Sequence, residues 1–81
     1  MVMTNKELNK QYSNFCKNVK YYRKLNKMTQ EDLAEKAELS LSYIKQIESG
    51  KEYKNVTLNT ELNISKALNV KLKTLFNETH N

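Results

Sequence analysis

The stretch of residues 29–50 constrains the fold more than any other part of this chain. Small and apolar residues recur in it at helical spacing in two successive segments: Leu33, Ala34 and Ala37, then Ile44 and Ile47. Only residues 38–40 separate these segments, which leaves room for a tight turn. Thr29 and Ser40 stand where a hydroxyl can accept a hydrogen bond from a free N–H of the following first turn. The sequence therefore predicts two short helices packed at a steep angle.

Two helices joined in this way have the pattern of a helix-turn-helix motif, and the second helix turns a polar face outward. With Ile44 and Ile47 inside, about 100° per residue places four residues on the opposite side, with a leucine at the leading tip. We call this surface the reading face; it consists of Leu41, Ser42, Lys45, Gln46 and Ser49. Because it contains no carboxylate, it can enter the DNA major groove without repelling phosphate.

Many residues stand at spacings shared with one protein family. Within the motif they are Thr29, Gln30, Leu33, Ala34, Leu39, Ser40, Tyr43, Ile44, Ile47, Glu48 and Gly50. Outside the motif they are Val19, Tyr22, Arg23, Ala67, Leu68, Asn69, Val70, Leu75 and Phe76. In these positions the chain resembles the phage repressor/Cro-type helix-turn-helix family, also called XRE. The resemblance implies an all-α, compact five-helix bundle of the lambda-repressor-like DNA-binding type.

The composition agrees with an all-helical domain. The 81 residues include no proline and one glycine, and the alternating β-branched runs typical of strands are missing. A chain of this length holds one apolar core, so we expect a single helix-turn-helix domain over residues 1–81, with its core in residues 15–77. Thr4 and Glu7 form a capping-box pattern, which predicts a first helix extended toward the N-terminus.

The net charge fits an anionic partner. Fourteen basic residues against nine acidic ones give +5, although ordinary soluble proteins also carry such an excess. Carboxylates lie on the outward face of the first motif helix, whereas lysines lie on the reading face and in the residues after it. The carboxylates are Glu31, Glu35 and Glu38, and the lysines are Lys45, Lys51 and Lys54. This segregation favours a cationic surface around the reading face.

The resemblance, for Gln30, and the helical geometry, for the others, predict which residues contact DNA. Gln30 matches a glutamine that contacts a phosphate beside the positive end of its helix. Base contacts are expected from Ser40, Leu41, Ser42, Lys45 and Gln46. In such contacts glutamine pairs with adenine, lysine reaches guanine and leucine touches a thymine methyl. Further phosphate contacts are expected from Ser49, Lys51, Tyr53, Lys54 and Asn55. The segment after Gly50 could equally be a solvated loop.

Four further positions concern stability. In the family, the arginine matching Arg23 usually pairs with the glutamate matching Glu48, which ties the first helix to the end of the second motif helix. Glu38 stands where relatives usually have glycine, so we expect a left-handed backbone there with about 1 kcal/mol of strain. Asn69 replaces another usual glycine, and asparagine is the next-best residue for that conformation.

Apolar residues outside the motif leave two assignments open. A stripe at steps of four and three runs along the first helix: Leu8, Tyr12, Phe15, Val19 and Tyr22. It either packs this helix onto its own domain or, through its first three members, helps to hold two chains together. A fourth helix contains Leu58, Leu62, Ile64, Ser65 and Leu68. Its rotation stays open because Glu61 stands where relatives have an apolar residue.

The last predicted helix has more apolar residues than one small core needs. Leu72, Leu75 and Phe76 are therefore the first candidates for a dimer contact. One module of this size is too small for tight specific binding. We therefore expect a homodimer on a palindromic operator, with half-sites about one helical turn apart.

No grouping for catalysis or metal binding occurs in the sequence. The chain has one histidine, His80, and one cysteine, and it lacks a Gly-rich loop and any apolar run long enough to span a bilayer. We expect no enzyme activity, cofactor, metal, membrane contact or small-molecule effector. Cys16 is an inert, half-buried thiol, a reactive thiol or a cross-link between chains, and the first is favoured; a single cysteine fits a reducing cytoplasm.

The function predicted is sequence-specific recognition of double-stranded DNA by a cytoplasmic transcriptional regulator. Stand-alone relatives of this size include phage-type repressors, controller proteins of restriction–modification systems and antitoxins. The pattern of residues 43–48, with the extended first helix, leans toward a controller protein. The alternative is an antitoxin-like helical protein-interaction module that does not rely on DNA, a role that Leu41 and Tyr43 would suit.

Overall fold

The structure, a computed structural model, describes residues 2–51 and 56–78 and contains five α-helices. In chain order they are α1 (Asn5–Leu25), α2 (Gln30–Ala37), α3 (Leu41–Ser49), α4 (Leu58–Leu68) and α5 (Leu72–Leu75). No strand occurs in these two described ranges. The expected all-α, five-helix architecture with a long first helix is confirmed.

Each of the first four helices begins at a side-chain cap. The capping hydroxyls accept a backbone N–H at 3.0–3.1 Å, and they belong to Thr4, Thr29, Ser40 and Thr57. Two of these caps are reciprocal, because Glu7 accepts the backbone N–H of Thr4 at 2.8 Å and Asp32 accepts that of Thr29 at 2.9 Å. These backbone hydrogen bonds lower the pKa of both carboxyl groups. The part played by Asp32 was not predicted from the sequence.

The five helices surround one apolar core. Every helix contributes fully buried apolar side chains: Phe15 and Val19, Leu33, Ile44 and Ile47, Ile64 and Leu68, and Leu75. α2 packs against α3 and α4, while α1 packs against α3, α4 and α5. The ring of Phe15 stacks on that of Phe76 with centroids 5.3 Å apart. One face of α3 is therefore committed to the core.

Burial decides two of the expected assignments. Tyr12 is 8% exposed and Phe15 is 1% exposed, so the N-terminal stripe packs onto its own domain. The interpretation that these two residues hold two chains together is wrong; Leu8, at 38% exposed, lies at the edge of the stripe. The prediction that Leu75 is a dimer contact is also wrong. Leu75 is the inward residue of α5 and is 0% exposed within its own chain.

The rotation of α4, left open by the sequence, follows from which residues are covered. Ile64, Ser65 and Leu68 face inward, whereas Leu58 and Leu62 are 62% and 46% exposed. Glu61 continues the inward stripe at helical spacing and is partly buried. Its burial raises the pKa of its carboxyl group above the ordinary value.

Two asparagines of α1 hold the end of α5. Asn18 is 1% exposed, and its Nδ2 donates to the carbonyl oxygen of Leu75 at 2.9 Å and to that of Asn77 at 2.7 Å. One turn earlier, Asn14 Nδ2 donates to the carbonyl oxygen of Phe76 at 3.5 Å. These bonds satisfy carbonyls that a helix C-terminus leaves without partners.

Candidate nucleic-acid interface

Both ends of α3 are fixed, so its outer face has a defined direction. Ser40 caps the start, and Gly50 ends the helix with φ +59°, a left-handed conformation that glycine adopts without strain. A Cβ placed on Gly50 would lie 3.6 Å from the Cβ of Cys16, so this end of α3 lies against the middle of α1. On the inner side, Ile44 and Ile47 are both 0% exposed.

The reading face points away from the core. Ser42, Lys45, Gln46 and Ser49 are exposed and Leu41 is half-buried, as is expected for a face that enters a groove. The capping Ser40 is exposed as well. Ser49 Oγ donates to the carbonyl oxygen of Gln46 at 2.7 Å, so it has to rotate before it can donate to a phosphate. The contacts of these residues with DNA stay a prediction.

A buried ion pair joins α1 to the last turn of α3. Arg23 Nε donates to Glu48 Oε2 at 2.6 Å, and Arg23 Nη2 donates to Glu48 Oε1 at 3.0 Å. The side chains of Arg23 and Glu48 are 10% and 3% exposed. Arg23 Nη1 also donates to the carbonyl oxygen of Met28 at 2.7 Å, in the connection to α2. The contact that the family resemblance implied is therefore present, and it is bidentate.

Gln30 takes part in the same network. As the first residue of α2, it donates from Nε2 to Glu48 Oε1 at 3.1 Å. A carboxamide nitrogen carries two N–H groups, so the second remains available to a phosphate. The network thus fixes the start of α2 against the end of α3. From the sequence, Gln30 was expected to contact DNA, and its bond to Glu48 was not predicted.

The turn between α2 and α3 has the conformation expected for it. Glu38 adopts φ +57° and ψ +43°, the left-handed region that favours glycine. The backbone N–H of Leu39 then donates to the carbonyl oxygen of Ala34 at 2.9 Å and closes the end of α2. Asn69 ends α4 with φ +57° in the same way. Lys27 also has φ +58°, which was not expected.

The segment after α3 is described in part. Lys51 is exposed, as a phosphate contact requires. Tyr53, Lys54 and Asn55, which were expected to contact phosphates, lie outside the described residues, as does His80. Their assignments stay predictions.

Cys16 is placed as a core residue. Its side chain is 2% exposed, and burial raises the pKa of its thiol, so the thiol is neutral at physiological pH and shielded from oxidants. This position agrees with the interpretation of an inert cysteine. Residues 2–51 and 56–78 contain no group of three or more side chains that could hold a metal ion, and no helix in them is both long and apolar enough to cross a membrane.

Comparisons with known proteins agree with this geometry. Residues 19–75 match the helix-turn-helix family, a range that includes the motif and the Arg23–Glu48 pair. The control protein C.SmaI of Serratia marcescens is 41% identical over 60 residues, which cover 74% of this chain and 69% of that protein. The crystal structure of the restriction-modification controller protein C.AhdI from Aeromonas hydrophila matches with a TM-score of 0.73 and 29% identity, over 80% of this chain and 96% of that chain.

Proposed function

Because this chain belongs to the XRE-type helix-turn-helix family, we propose that it regulates transcription by reading a specific sequence in double-stranded DNA. It is a helix-turn-helix DNA-binding protein of the controller type. Its two named relatives are a control protein and a restriction-modification controller, and neither is named as an enzyme. We place its action in the cytoplasm, where such regulators typically act.

The observation that carries the proposal is an exposed, carboxylate-free face on a helix whose position is fixed from behind. Ile44 and Ile47 anchor α3 in the core, and the Arg23–Glu48 pair fixes its last turn. A helix held in this way can enter the major groove as a rigid unit. Preorganisation of this kind reduces the entropy lost on binding.

We assign two kinds of contact to this interface. Gln30, bonded to Glu48, presents its second N–H to a phosphate, and the positive end of α2 strengthens that contact. Base contacts come from five side chains at the start and on the outer side of α3: Ser40, Leu41, Ser42, Lys45 and Gln46. The phosphate contacts set the docking angle, and the base contacts set the sequence.

We also propose that the regulator is a homodimer on a palindromic operator. Leu58 and Leu62 of α4 are exposed apolar residues, and Leu72 and Phe76 at α5 are only half-buried. Covering such side chains in a symmetric contact is favourable, and two-fold symmetry places two reading helices about one DNA turn apart. Leu72 and Phe76 thus remain candidates for this contact, whereas Leu75 does not.

Selection of binding sites from a random pool of duplexes tests this function. We expect enrichment of an inverted repeat with half-site centres about 10 base pairs apart, bound by two chains in sedimentation. A folded protein that enriches no sequence would instead support the protein-interaction module. Enrichment of a single, unrepeated half-site by a monomer would contradict the homodimer and leave sequence-specific DNA binding intact.

A further inference from the structure

The positive charge of this protein is not located on its helix-turn-helix motif. Residues 29–50 contain two basic and five acidic residues, a formal charge of −3. α1 contains six basic residues and one acidic residue, so its formal charge of +5 equals that of the whole chain. The motif that approaches DNA is therefore negative, and the compensating charge lies on a neighbouring helix.

Five lysines of α1 lie on one face, which we call the lysine ridge: Lys6, Lys10, Lys17, Lys20 and Lys24. At helical spacing their positions fall within about 80° around the helix axis, opposite Phe15 and Val19. All five are exposed. The ridge extends for about 27 Å along α1 at the helical rise per residue. A run of like charges this long repels itself in the absence of an anionic partner.

The remaining charges of α1 are already used within the protein. Arg23 is paired with Glu48, and Glu7 accepts the backbone N–H of Thr4 at the start of the helix. In the ridge, Lys10 contacts Glu78 at 3.3 Å, but the two side chains are 66% and 80% exposed. An exposed ion pair of this kind adds little stability, so a phosphate can replace Glu78.

The C-terminal half of the ridge lies on the part of α1 that contacts the end of the reading helix. Gly50 lies against Cys16, and Glu48 binds Arg23, so the part of α1 from residue 16 to residue 23 runs beside the last turn of α3. Lys17, Lys20 and Lys24 lie within or next to this part, on its outer side. A helix in the major groove has a phosphate backbone on either side of it, because the groove is only about 12 Å wide. With α3 in the groove, Lys17, Lys20 and Lys24 are therefore the ridge lysines nearest to one of these backbones.

We propose that the lysine ridge is a second DNA-contacting surface, which binds backbone phosphates next to the groove entered by α3. It supplies most of the salt-dependent, sequence-independent affinity, whereas the negative motif supplies the base reading. This assignment rests on the proposed function, because it requires the motif to be bound to DNA. Duplex DNA is favoured over an acidic protein as the partner because the ridge adjoins the DNA-facing helix and offsets the repulsion of phosphate by the motif.

The test compares two triple substitutions that remove the same charge. One variant carries Lys17→Gln, Lys20→Gln and Lys24→Gln in the ridge. The control carries Lys36→Gln, Lys66→Gln and Lys71→Gln, which are exposed lysines outside α1. Both proteins are compared with wild type by thermal unfolding, which checks the fold, and by fluorescence anisotropy on a random-sequence duplex across a salt series. A random duplex makes the readout independent of the operator sequence.

Each lysine that neutralises a phosphate contributes about 0.9 to the slope of log affinity against log salt. We expect the ridge variant to lose about two to three from this slope and to bind at least about tenfold more weakly at low salt, whereas the control stays within about twofold of wild type. Equal losses in the two variants would overturn the ridge and leave the proposed function intact. A wild-type protein with no salt-dependent DNA binding would overturn both.

Discussion

At the scale of single residues, Arg23 connects three parts of the interface. Its guanidinium binds the carboxylate of Glu48 in α3 and the carbonyl oxygen of Met28 before α2, and Glu48 in turn accepts from Gln30. Because both charges are nearly buried, neither can turn to water if the other is removed. The network therefore fixes α1, the start of α2 and the last turn of α3 relative to one another.

We predict that Arg23→Ala lowers the free energy of unfolding by about 3–5 kcal/mol, because it leaves the Glu48 carboxylate buried without its counter-charge. Chemical denaturation at neutral pH measures this loss. The control is Lys24→Ala, which removes a neighbouring exposed cation and should change the free energy by no more than about 0.5 kcal/mol. Similar values for the two variants would show that the pair contributes no such stability.

Glu38 is a second residue with an effect that can be measured. It holds φ +57° without being glycine, and it places a carboxylate at the C-terminus of α2, where the helix dipole disfavours negative charge. We predict that Glu38→Gly raises the free energy of unfolding by about 0.5–1 kcal/mol. Asn69→Gly should raise the free energy of unfolding by less, because asparagine already tolerates this backbone conformation better than glutamate does. If Glu38→Gly were less stable than wild type, the Glu38 side chain would have to make a contact that outweighs the backbone strain.

At the scale of elements, the short α5 depends on α1. A helix of four residues has little stability of its own, so its position comes from Leu75 in the core and from the amide of Asn18. The proposed dimer contact at Leu72 and Phe76 therefore relies on a buried asparagine of another helix.

We predict that Asn18→Ala lowers the free energy of unfolding by about 1–3 kcal/mol, since it leaves the carbonyl oxygens of Leu75 and Asn77 without this donor. Asn14→Ala is the matched control and should cost less, because its bond to Phe76 is 3.5 Å long and only partly buried. Amide hydrogen exchange near α5 should likewise be accelerated more by Asn18→Ala than by Asn14→Ala. A larger loss for Asn14→Ala would refute it.

The start of α2 gives a pH-dependent prediction. The pKa of Asp32 is lowered by hydrogen bonds from Thr29, so its ionised form stabilises the folded state at pH values above the ordinary value of 3.8. This contribution is lost as pH falls through the lowered pKa. Asp32→Asn should therefore reduce the melting temperature at pH 7, and the difference from wild type should vanish in strong acid. Glu35→Gln, in the same helix, is the control; a difference that persists in acid would count against the ionised cap.

Local features could be predicted from the sequence and contacts between distant segments could not. Thr29 and Ser40 cap helices through residues three positions away, so their roles are visible in a short stretch of sequence. The burial of Leu75 and the rotation of α4 depend on which helices meet across the core, and periodicity alone does not specify this. The Arg23–Glu48 pair was expected only because of the family resemblance. Nothing in the local pattern around Gln30 indicates its bond to Glu48.

At the scale of the whole molecule, size and charge agree with one half-site per chain. Each chain presents one reading helix, α3, and successive major grooves on one side of the duplex are about 34 Å apart, so two chains are needed to read two of them. The principal dimensions of one chain, 36 × 24 × 20 Å, are comparable to that spacing. Charge is divided in the same molecule, with the excess on α1 and a negative motif beside it. In the proposed complex, base reading therefore falls to α3 and most of the salt-dependent phosphate binding to α1.

The central claim is that the outer side of α3 reads bases, and Gln46 tests it most directly. The measurement is the affinity of Gln46→Ala for the selected duplex and for random DNA, with Asn9→Ala, an exposed amide on α1, as the control. We predict a loss of about 1–3 kcal/mol on the selected duplex, relaxed preference at one base pair, and unchanged affinity for random DNA. An equal loss on both duplexes, or no loss on either, would contradict the claim.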